Sequence, residues 1–266
     1  MIEGFKLAAL EAGQCIMEIY EAGFQAHTKG DGTPVTVADQ KAEDIILQHL
    51  SQLCPDIPVV AEEAMAGGSV PEIGERFILV DPLDGTREFI NRNGEFTVNI
   101  ALIENGAPTA GVIFAPAIEL LYWGDHQNGA FSAKVTLAGS EAAQKIVCDA
   151  ISEPIRVLAS RSHLSPETES VISRLGSASI TSAGSSLKFC RIAEGAADFY
   201  PRFGPTMEWD TAAGHAILCA AGGKVVTEDG APLLYGKLDQ PEKRPFENPY
   251  FLAVGDEKII SQCCAR

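Results

Sequence analysis

The sequence is short of basic side chains. It contains 20 Lys and Arg against 36 Asp and Glu, which gives a formal net charge of −16 at pH 7. A field of this sign repels nucleic acids and anionic membrane surfaces, so a role in binding either is disfavoured. A small anionic substrate remains compatible with this charge if metal ions or local cationic side chains reverse the field inside one cleft.

The sequence also lacks long apolar runs and paired cysteine motifs. No apolar stretch approaches the ~18 residues needed to span a bilayer, and the first residues lack the basic region of a secretory signal. Seven cysteines are scattered without a Cys-x-x-Cys or a Cys/His zinc spacing, which indicates reduced thiols. We therefore expect a cytoplasmic protein without an integral membrane segment.

Hydrophobic periodicity predicts two amphipathic helices near the start of the chain. Apolar residues at spacings of three and four indicate one helix between Ile2 and Ile19. A second helix would bury Ala42, Ile46 and Leu53 on one face. The first helix leaves its charged residues on the opposite side.

A change of pattern divides the rest of the chain. Residues 77–133 predict an antiparallel meander, in which Phe96 to Leu102 alternate with polar or small residues as in a half-buried strand. An Ala/Gly/Ser-rich stretch at about 134–153 follows, and strands and helices alternate after it. We predict two layered α/β halves, 1–140 and 141–266, with a cleft between them.

Acidic residues recur where a predicted strand ends or a predicted helix begins. They are Asp39, Glu62, Asp81, Asp84 and Asp210. Taken singly, each has a simpler interpretation: Asp39 fits a capping box, Asp210 could cap its own helix, and Glu62 could be a solvated charge. Asp, Pro and Gly are also the usual residues of turns.

The stretch from Asp81 to Thr86, DPLDGT, is harder to explain as a turn alone. The apolar run before Asp81 places this carboxylate at the end of a buried strand, where desolvation is costly. Gly85 allows close approach to a ligand, and Thr86 begins a helix whose N–H groups favour phosphate. Several carboxylates in one cleft need a cation among them, and oxygen ligands favour Mg²⁺. These residues predict phosphate-ester hydrolysis by metal-activated water.

Three motifs resemble the lithium-sensitive, magnesium-dependent phosphomonoesterases of the inositol monophosphatase superfamily. They are VAEE (60–63), DPLDGT (81–86) and WDTAAG (209–214), in the family's order and spanning most of the chain. Longer segments, 81–103, SRSH at 160–163 and 184–216, are similar to its bacterial bisphosphate-nucleotidase branch. The resemblance implies an α+β fold, a layered αβαβα sandwich of the inositol monophosphatase and fructose-1,6-bisphosphatase type, with the site between two subdomains.

The resemblance also implies a role for each matching residue. The metal ligands would be Glu62, Asp81, Asp84, Asp210 and the carbonyl of Leu83, with Asp81 bridging two ions. Asp39 and Thr86 would orient and deprotonate the attacking water. The N–H groups of Gly85 and Thr86 would hold the scissile phosphate, which Glu62, Leu83, Asp84 and Asp210 would also face. The nucleotide portion would contact Gly184, Ser185, Lys188 and Arg202.

The activity implied by the resemblance is removal of the 3′-phosphate of adenosine 3′,5′-bisphosphate, a by-product of sulfate activation, to give AMP. Two or three Mg²⁺ ions would be needed, with inhibition by Li⁺ and Ca²⁺. The partner would be this small nucleotide, not a nucleic acid, and the chain would be a monomer or homodimer. Some relatives are peripheral on the inner membrane, but this acidic chain lacks a basic amphipathic helix for such binding.

Two alternative functions stay open. One is an inositol or sugar phosphatase on the same scaffold. The other is a catalytically idle regulator, against which the intact pair Asp39 and Thr86 argues. Of the histidines, His163 in SRSH could help bind a substrate phosphate, whereas the apolar neighbours of His215 favour a core histidine.

Overall fold

The computed structural model describes residues 1–28, 30, 32, 34–136, 139–159 and 165–264. The SRSH segment, and with it the predicted phosphate contact of His163, lies outside these residues. The helices are α1 (Ile2–Ala22), α2 (Val37–Leu53), α3 (Glu62–Ala66), α4 (Thr86–Ile90), α5 (Pro166–Ser173), α6 (Leu187–Ala193), α7 (Glu208–Ala220) and α8 (Lys258–Cys264). A 3₁₀ turn covers Pro116–Ile118.

The strands form two large sheets and one small ribbon. They are β1 (Ala26–Thr28), β2 (Pro34–Thr36), β3 (Val59–Ala61), β4 (Arg76–Asp84), β5 (Thr97–Glu104), β6 (Ala107–Ala115), β7 (Leu120–Asp125), β8 (Gly129–Thr136), β9 (Gly139–Ser140), β10 (Gln144–Ile146), β11 (Ile155–Ala159), β12 (Ala178–Ser182), β13 (Phe199–Arg202), β14 (Lys224–Thr227) and β15 (Phe251–Val254). The first large sheet has the order β10-β8-β7-β6-β5-β4-β3, with β9 beside β8, and the second β12-β11-β13-β15-β14. In the first sheet only β3 and β4 run parallel among the described pairs.

Helices and sheets alternate in five layers. α1 and α2 pack on one face of the first sheet, and α6 and α7 lie between the two sheets. α5 and α8 cover the outer face of the second sheet. Each sheet needs a helical layer on both sides because both of its faces are apolar. The predicted αβαβα sandwich is therefore the observed architecture.

The prediction of a half-buried strand at Phe96–Leu102 is wrong. Strand β5 is buried along almost its whole length, from Thr97 to Ile103, because α1 covers one face of it and α7 the other. The prediction that Leu53 faces the core is wrong as well, since 41% of this residue is exposed. It ends α2 and packs over Gly4 at the edge of α1, beyond the reach of the sheet.

The predicted division at 140/141 falls within the first sheet. Strand β10 still pairs with β8 through Ile146, and the second sheet begins at Ile155. Helix α7, from the second half of the chain, also packs directly on β5 and β6 of the first half. The division of the chain into two subdomains stays a prediction.

Candidate active site

The site begins where two parallel strands end side by side. The β3–β4 ladder ends with the pair Ala61 and Val80, so Glu62 and Asp81 follow it as neighbours. Glu62 is also the first residue of α3. Asp81 is 1% exposed, and its Oδ1 accepts a hydrogen bond from the N–H of Leu83 at 3.0 Å. Strand pairing thus brings together two of the predicted metal ligands.

A bulge turns the end of β4 into the cleft. The pairing of β4 with β5 shifts register between Asp81 and Asp84, which re-aims the residues at the strand end. Gly85 follows in the left-handed conformation, with φ 92° and ψ 42°, and Thr86 begins α4. A side chain at Gly85 would place its Cβ 3.2 Å from the carbonyl oxygen of Glu95. Glycine is therefore required both by conformation and by space.

Asp39 contacts Thr86 behind the wall of the cleft. Its Oδ2 accepts the backbone N–H and the hydroxyl of Thr36, both at 2.8 Å, and its Oδ1 accepts the Thr86 hydroxyl at 3.1 Å. Asp39 is 2% exposed, and this burial raises the pKa of its carboxyl, although the hydrogen bonds from Thr36 and Thr86 oppose the shift. Asp39 therefore caps α2 and also holds the hydroxyl predicted to orient water.

Asp210 enters the site from the first turn of α7. Its Oδ2 accepts the N–H of Met207 at 2.8 Å, so it also caps its own helix. The neighbouring Trp209 is buried and packs against Phe246, with ring centroids 6.2 Å apart. Burial raises the pKa of Asp210 well above its usual value, and the charges of Asp84 and Glu62 raise it further.

Asp84 is held by a hydrogen bond from the other half of the chain. Its Oδ2 accepts the backbone N–H of Ser186 at 2.6 Å. The Ser186 hydroxyl lies 2.8 Å from both Thr97 Oγ1 and Asn99 Oδ1 on β5. Burial raises the pKa of Asp84 to about 6, although the charge of Lys188 acts in the opposite direction.

The five predicted metal ligands line one cleft of about 720 Å³. Its walls include Glu62, Asp81, Leu83, Asp84, Asp210 and also Gly85 and Thr86. Within the described residues, no three carboxylate, imidazole or thiol groups stand close enough to enclose a metal ion by themselves. The donor set nevertheless fits Mg²⁺, which keeps several waters and phosphate oxygens among its ligands. The mutual repulsion that raises the pKa of Asp210 is the electrostatic reason to place a cation there.

A second pocket of about 190 Å³ adjoins the cleft and shares Asp84, Gly85 and Arg202 with it. Gly184, Ser185 and Lys188 line it. A Cβ on Gly184 would lie 2.8 Å from the Glu95 backbone carbonyl, so this loop too requires glycine. Lys188 is 7% exposed; its Nζ donates to the Ser185 carbonyl at 2.9 Å and lies 5.2 Å from the centre of the Tyr200 ring.

Two residues that line this pocket each have a buried polar side-chain atom without a hydrogen-bond partner among the described residues. Within the part of the chain that the structure describes, neither Ser185 Oγ nor Arg202 Nε has a hydrogen-bond partner. Buried polar groups are rarely left in this state without a ligand or water. The four residues predicted to contact the nucleotide are thus brought together beside the predicted metal ligands.

Sequence reasoning missed several residues of the site. Glu88 and Glu95 line the smaller pocket, and Glu95 accepts the N–H of Gly184 at 2.8 Å. Ser186 donates its N–H to Asp84, and Glu43 accepts the N–H groups of Glu63 and Ala64. The one local signal for Glu43 was its position four residues after Asp39, on the same face of α2.

The structure places His215 in the core, away from the cleft. It is 7% exposed, and its Nδ1 lies 3.0 Å from the Tyr235 hydroxyl. Burial lowers its pKa to about 3, so the ring is neutral at physiological pH. This arrangement fits a structural role.

Among the helices in the described residues, none is both long enough and apolar enough to cross a bilayer.

Known proteins resemble this chain in both sequence and fold. The sequence model of the inositol monophosphatase family matches residues 1–258. Proteins named 3′(2′),5′-bisphosphate nucleotidase CysQ are 45% identical to it in Shigella flexneri, over 91% of this chain and 95% of the relative, and in Salmonella typhimurium, over 94% and 98%. The crystal structure of CysQ from Bacteroides thetaiotaomicron, a bacterial member of the inositol monophosphatase family, has a TM-score of 0.78, 40% identity and coverage of 96% and 97% of the two chains. The chain therefore belongs to the inositol monophosphatase family, as its three motifs predict.

Proposed function

We propose that this chain is a magnesium-dependent 3′(2′),5′-bisphosphate nucleotidase that hydrolyses adenosine 3′,5′-bisphosphate to AMP and phosphate. The observation that carries the proposal is one cleft that joins Glu62, Asp81, Asp84 and Asp210 to the turn Gly85–Thr86. The CysQ relatives in Shigella and Salmonella, aligned over more than nine-tenths of this chain, support the nucleotide substrate.

In the proposed reaction, the oxygen of water bonds to the 3′-phosphorus while the bond to the 3′-oxygen breaks. The oxygen of water stays on the released phosphate, and one of its protons ends on the 3′-oxygen as the hydroxyl of AMP. Bound Mg²⁺ ions would be held by Glu62, Asp81, Asp84, Asp210 and the Leu83 carbonyl, and would supply positive charge that acidifies water and neutralises phosphate. Thr86 donates its hydroxyl proton to Asp39 at 3.1 Å, so its oxygen can accept a hydrogen bond from the attacking water. In this proposal Asp39 is the base, and the hydrogen bond from Thr86 supports that role.

The remaining residues bind and orient the substrate. The first N–H groups of α4, at Gly85 and Thr86, face the scissile phosphate in this proposal. Lys188 and Arg202, with the free Ser185 hydroxyl, bind the nucleotide portion in the adjoining pocket. Their positive charges favour a substrate that carries a second anionic group away from the metal ions.

Several finer properties belong to the same proposal. Two or three Mg²⁺ ions take part, and Li⁺ and Ca²⁺ inhibit by competing for their places. The protein acts in the cytoplasm on a by-product of sulfate activation, as a monomer or homodimer.

Phosphate release from adenosine 3′,5′-bisphosphate, measured with Mg²⁺ and with excess chelator, tests the proposal. We expect activity only with the metal, and undiminished turnover after full removal of divalent ions contradicts the mechanism. Inositol 1-phosphate, measured side by side, tests the sugar-phosphatase alternative. An idle regulator would hydrolyse neither compound.

A further inference from the structure

Glu43 is a buried carboxylate that the proposed reaction does not use. It lies on α2, is 1% exposed, and both of its oxygens accept backbone N–H groups. Oε2 accepts from Glu63 at 2.7 Å and Oε1 from Ala64 at 2.8 Å. A carboxylate removed from water in this way must be compensated by such bonds, and both donors belong to a single short helix.

The two donors are the second and third residues of α3, directly after Glu62. The residue that precedes α3, Ala61, has no side chain that could cap it. Glu43 takes this place from another helix, because the N–H groups of the second and third residues are those that an N-cap side chain normally satisfies. Glu43 on α2 thereby fixes the direction of the chain at Glu62, directly after β3.

Helix α2 also holds the other side of the cleft. Asp39 lies one turn before Glu43 on α2 and accepts the hydroxyl of Thr86, in the turn that carries Asp81 and Asp84. The β3–β4 ladder keeps Glu62 and Asp81 adjacent in the backbone but ends before either residue. Asp39 and Glu43 therefore hold the two segments that continue beyond the ladder.

We propose that Glu43 is a positioning residue that sets the place of Glu62 relative to Asp81 and so tunes divalent-metal affinity. The proposal rests on the proposed function for the metal site but concerns metal binding without nucleotide. Partners of metal ligands commonly change affinity ten- to a hundredfold when replaced. Glu43→Gln keeps the size of the side chain and replaces one acceptor oxygen by an amide that faces an N–H donor.

The test is a calorimetric titration with Mg²⁺, and with Mn²⁺ as a second probe, in the absence of nucleotide. We expect the Kd of Glu43→Gln to rise about tenfold or more, with a matching rise in the Mg²⁺ concentration needed for half-maximal turnover. Glu43→Asp keeps the charge but cannot reach both N–H groups, so its Kd should also rise. If the Gln variant does not fold, the Asp variant decides by the same criterion.

Asp198→Asn is the matched control. Asp198 is also a buried carboxylate, 3% exposed, that accepts a backbone N–H, from Arg156 at 2.7 Å, but it does not line the cleft. Asp198→Asn should lower the melting temperature and leave the metal Kd within twofold of the wild-type value. A Glu43 variant that loses stability like this control and keeps the wild-type metal Kd would overturn the proposal. The titration contains no nucleotide. Its result therefore tests the role of Glu43 even if the chain does not hydrolyse adenosine 3′,5′-bisphosphate.

Discussion

Replacing Gly85 by alanine separates the strain of the turn from its role in the site. Gly85 has φ 92° and ψ 42°, a left-handed conformation that costs an alanine roughly 1–2 kcal/mol. The new Cβ would lie 3.2 Å from the Glu95 carbonyl oxygen and 3.4 Å from Phe96 Cα, so this backbone must give way by a few tenths of an ångström. For a chain of this size, such a loss lowers the melting temperature by roughly 2–8 °C.

Gly222→Ala provides a control for the left-handed conformation without the close contact at Gly85. Gly222 follows α7 with φ 99°, and a Cβ built there meets nothing within 4 Å. It lies at the opposite end of α7 from Asp210. Both variants should therefore lose stability in thermal or urea unfolding, while only Gly85→Ala moves the turn between Asp84 and Thr86.

The assay is kcat/KM for adenosine 3′,5′-bisphosphate at saturating Mg²⁺. A displacement of the reacting groups by about 1 Å can cost about a hundredfold in rate. We expect Gly85→Ala to lose about 10- to 100-fold and Gly222→Ala to stay within about twofold of the wild type. Equal stability losses with full activity in Gly85→Ala would refute the argument that this turn positions the site.

Three further variants test other parts of the structure. In Asp39→Asn the side chain can still accept the Thr36 N–H but cannot act as a base. We therefore expect kcat to fall about 10²–10⁴-fold, while the substrate Kd changes little. A kcat within threefold of the wild type contradicts this role. Lys188→Met should weaken AMP binding, measured by calorimetry, by about 10-fold or more and leave inhibition by inorganic phosphate unchanged; equal losses for both ligands would remove Lys188 from the nucleotide pocket. Burial alone would raise the pKa of Asp198, but hydrogen bonds and charge from Arg156 lower it below its usual 3.8. Its stabilisation is thus present above about pH 4 and lost as pH falls through the lowered pKa; Asp198→Asn should cost about 1–3 kcal/mol in urea unfolding at pH 7, and an unchanged unfolding free energy would contradict the pairing.

Local signals predicted the parts of the site that depend on neighbouring residues. The capping box of Thr36 and Asp39 spans three residues, and the turn after β4 is encoded by Asp81, Gly85 and Thr86. Such features can be recognised from one sequence because their partners lie within a few positions of each other. The motifs then indicated which distant elements would share the cleft.

Contacts between distant segments left no comparable signal. Glu43 reaches residues 20 and 21 positions away, and Ser186 reaches Asp84 across 102 positions. In the sequence, a glutamate in a polar stretch of helix is typical of a solvent-facing position, and the spacing of four residues from Asp39 does not show that Glu43 is 1% exposed. The error at β5 has the same origin, because alternation records the polarity of a strand but not the presence of α7 over its second face.

The charge distribution connects the composition of the chain with its site. The net charge of −16 required a local reversal of the field for an anionic substrate. Arg87, Arg202 and Arg244 line the main cleft, and Lys188 the adjoining pocket. Burial raises the pKa of Asp84 and of Asp210, and the charges of Lys188 and Arg202, respectively, act in the opposite direction.

The two ends of the site therefore offer different groups to a substrate. Where the metal-ligand carboxylates lie, their negative charges favour bound metal ions and, through them, one phosphate group. In the adjoining pocket, carboxylates including Glu88 and Glu95 also line the wall, so Lys188 and Arg202 offer local charged contacts to a second anionic group and not a net cationic field. A nucleotide with two separate phosphates satisfies both ends, whereas a monophosphate on a neutral polyol satisfies only the first. This difference is the physical reason to favour a bisphosphate nucleotide over an inositol phosphate as the substrate.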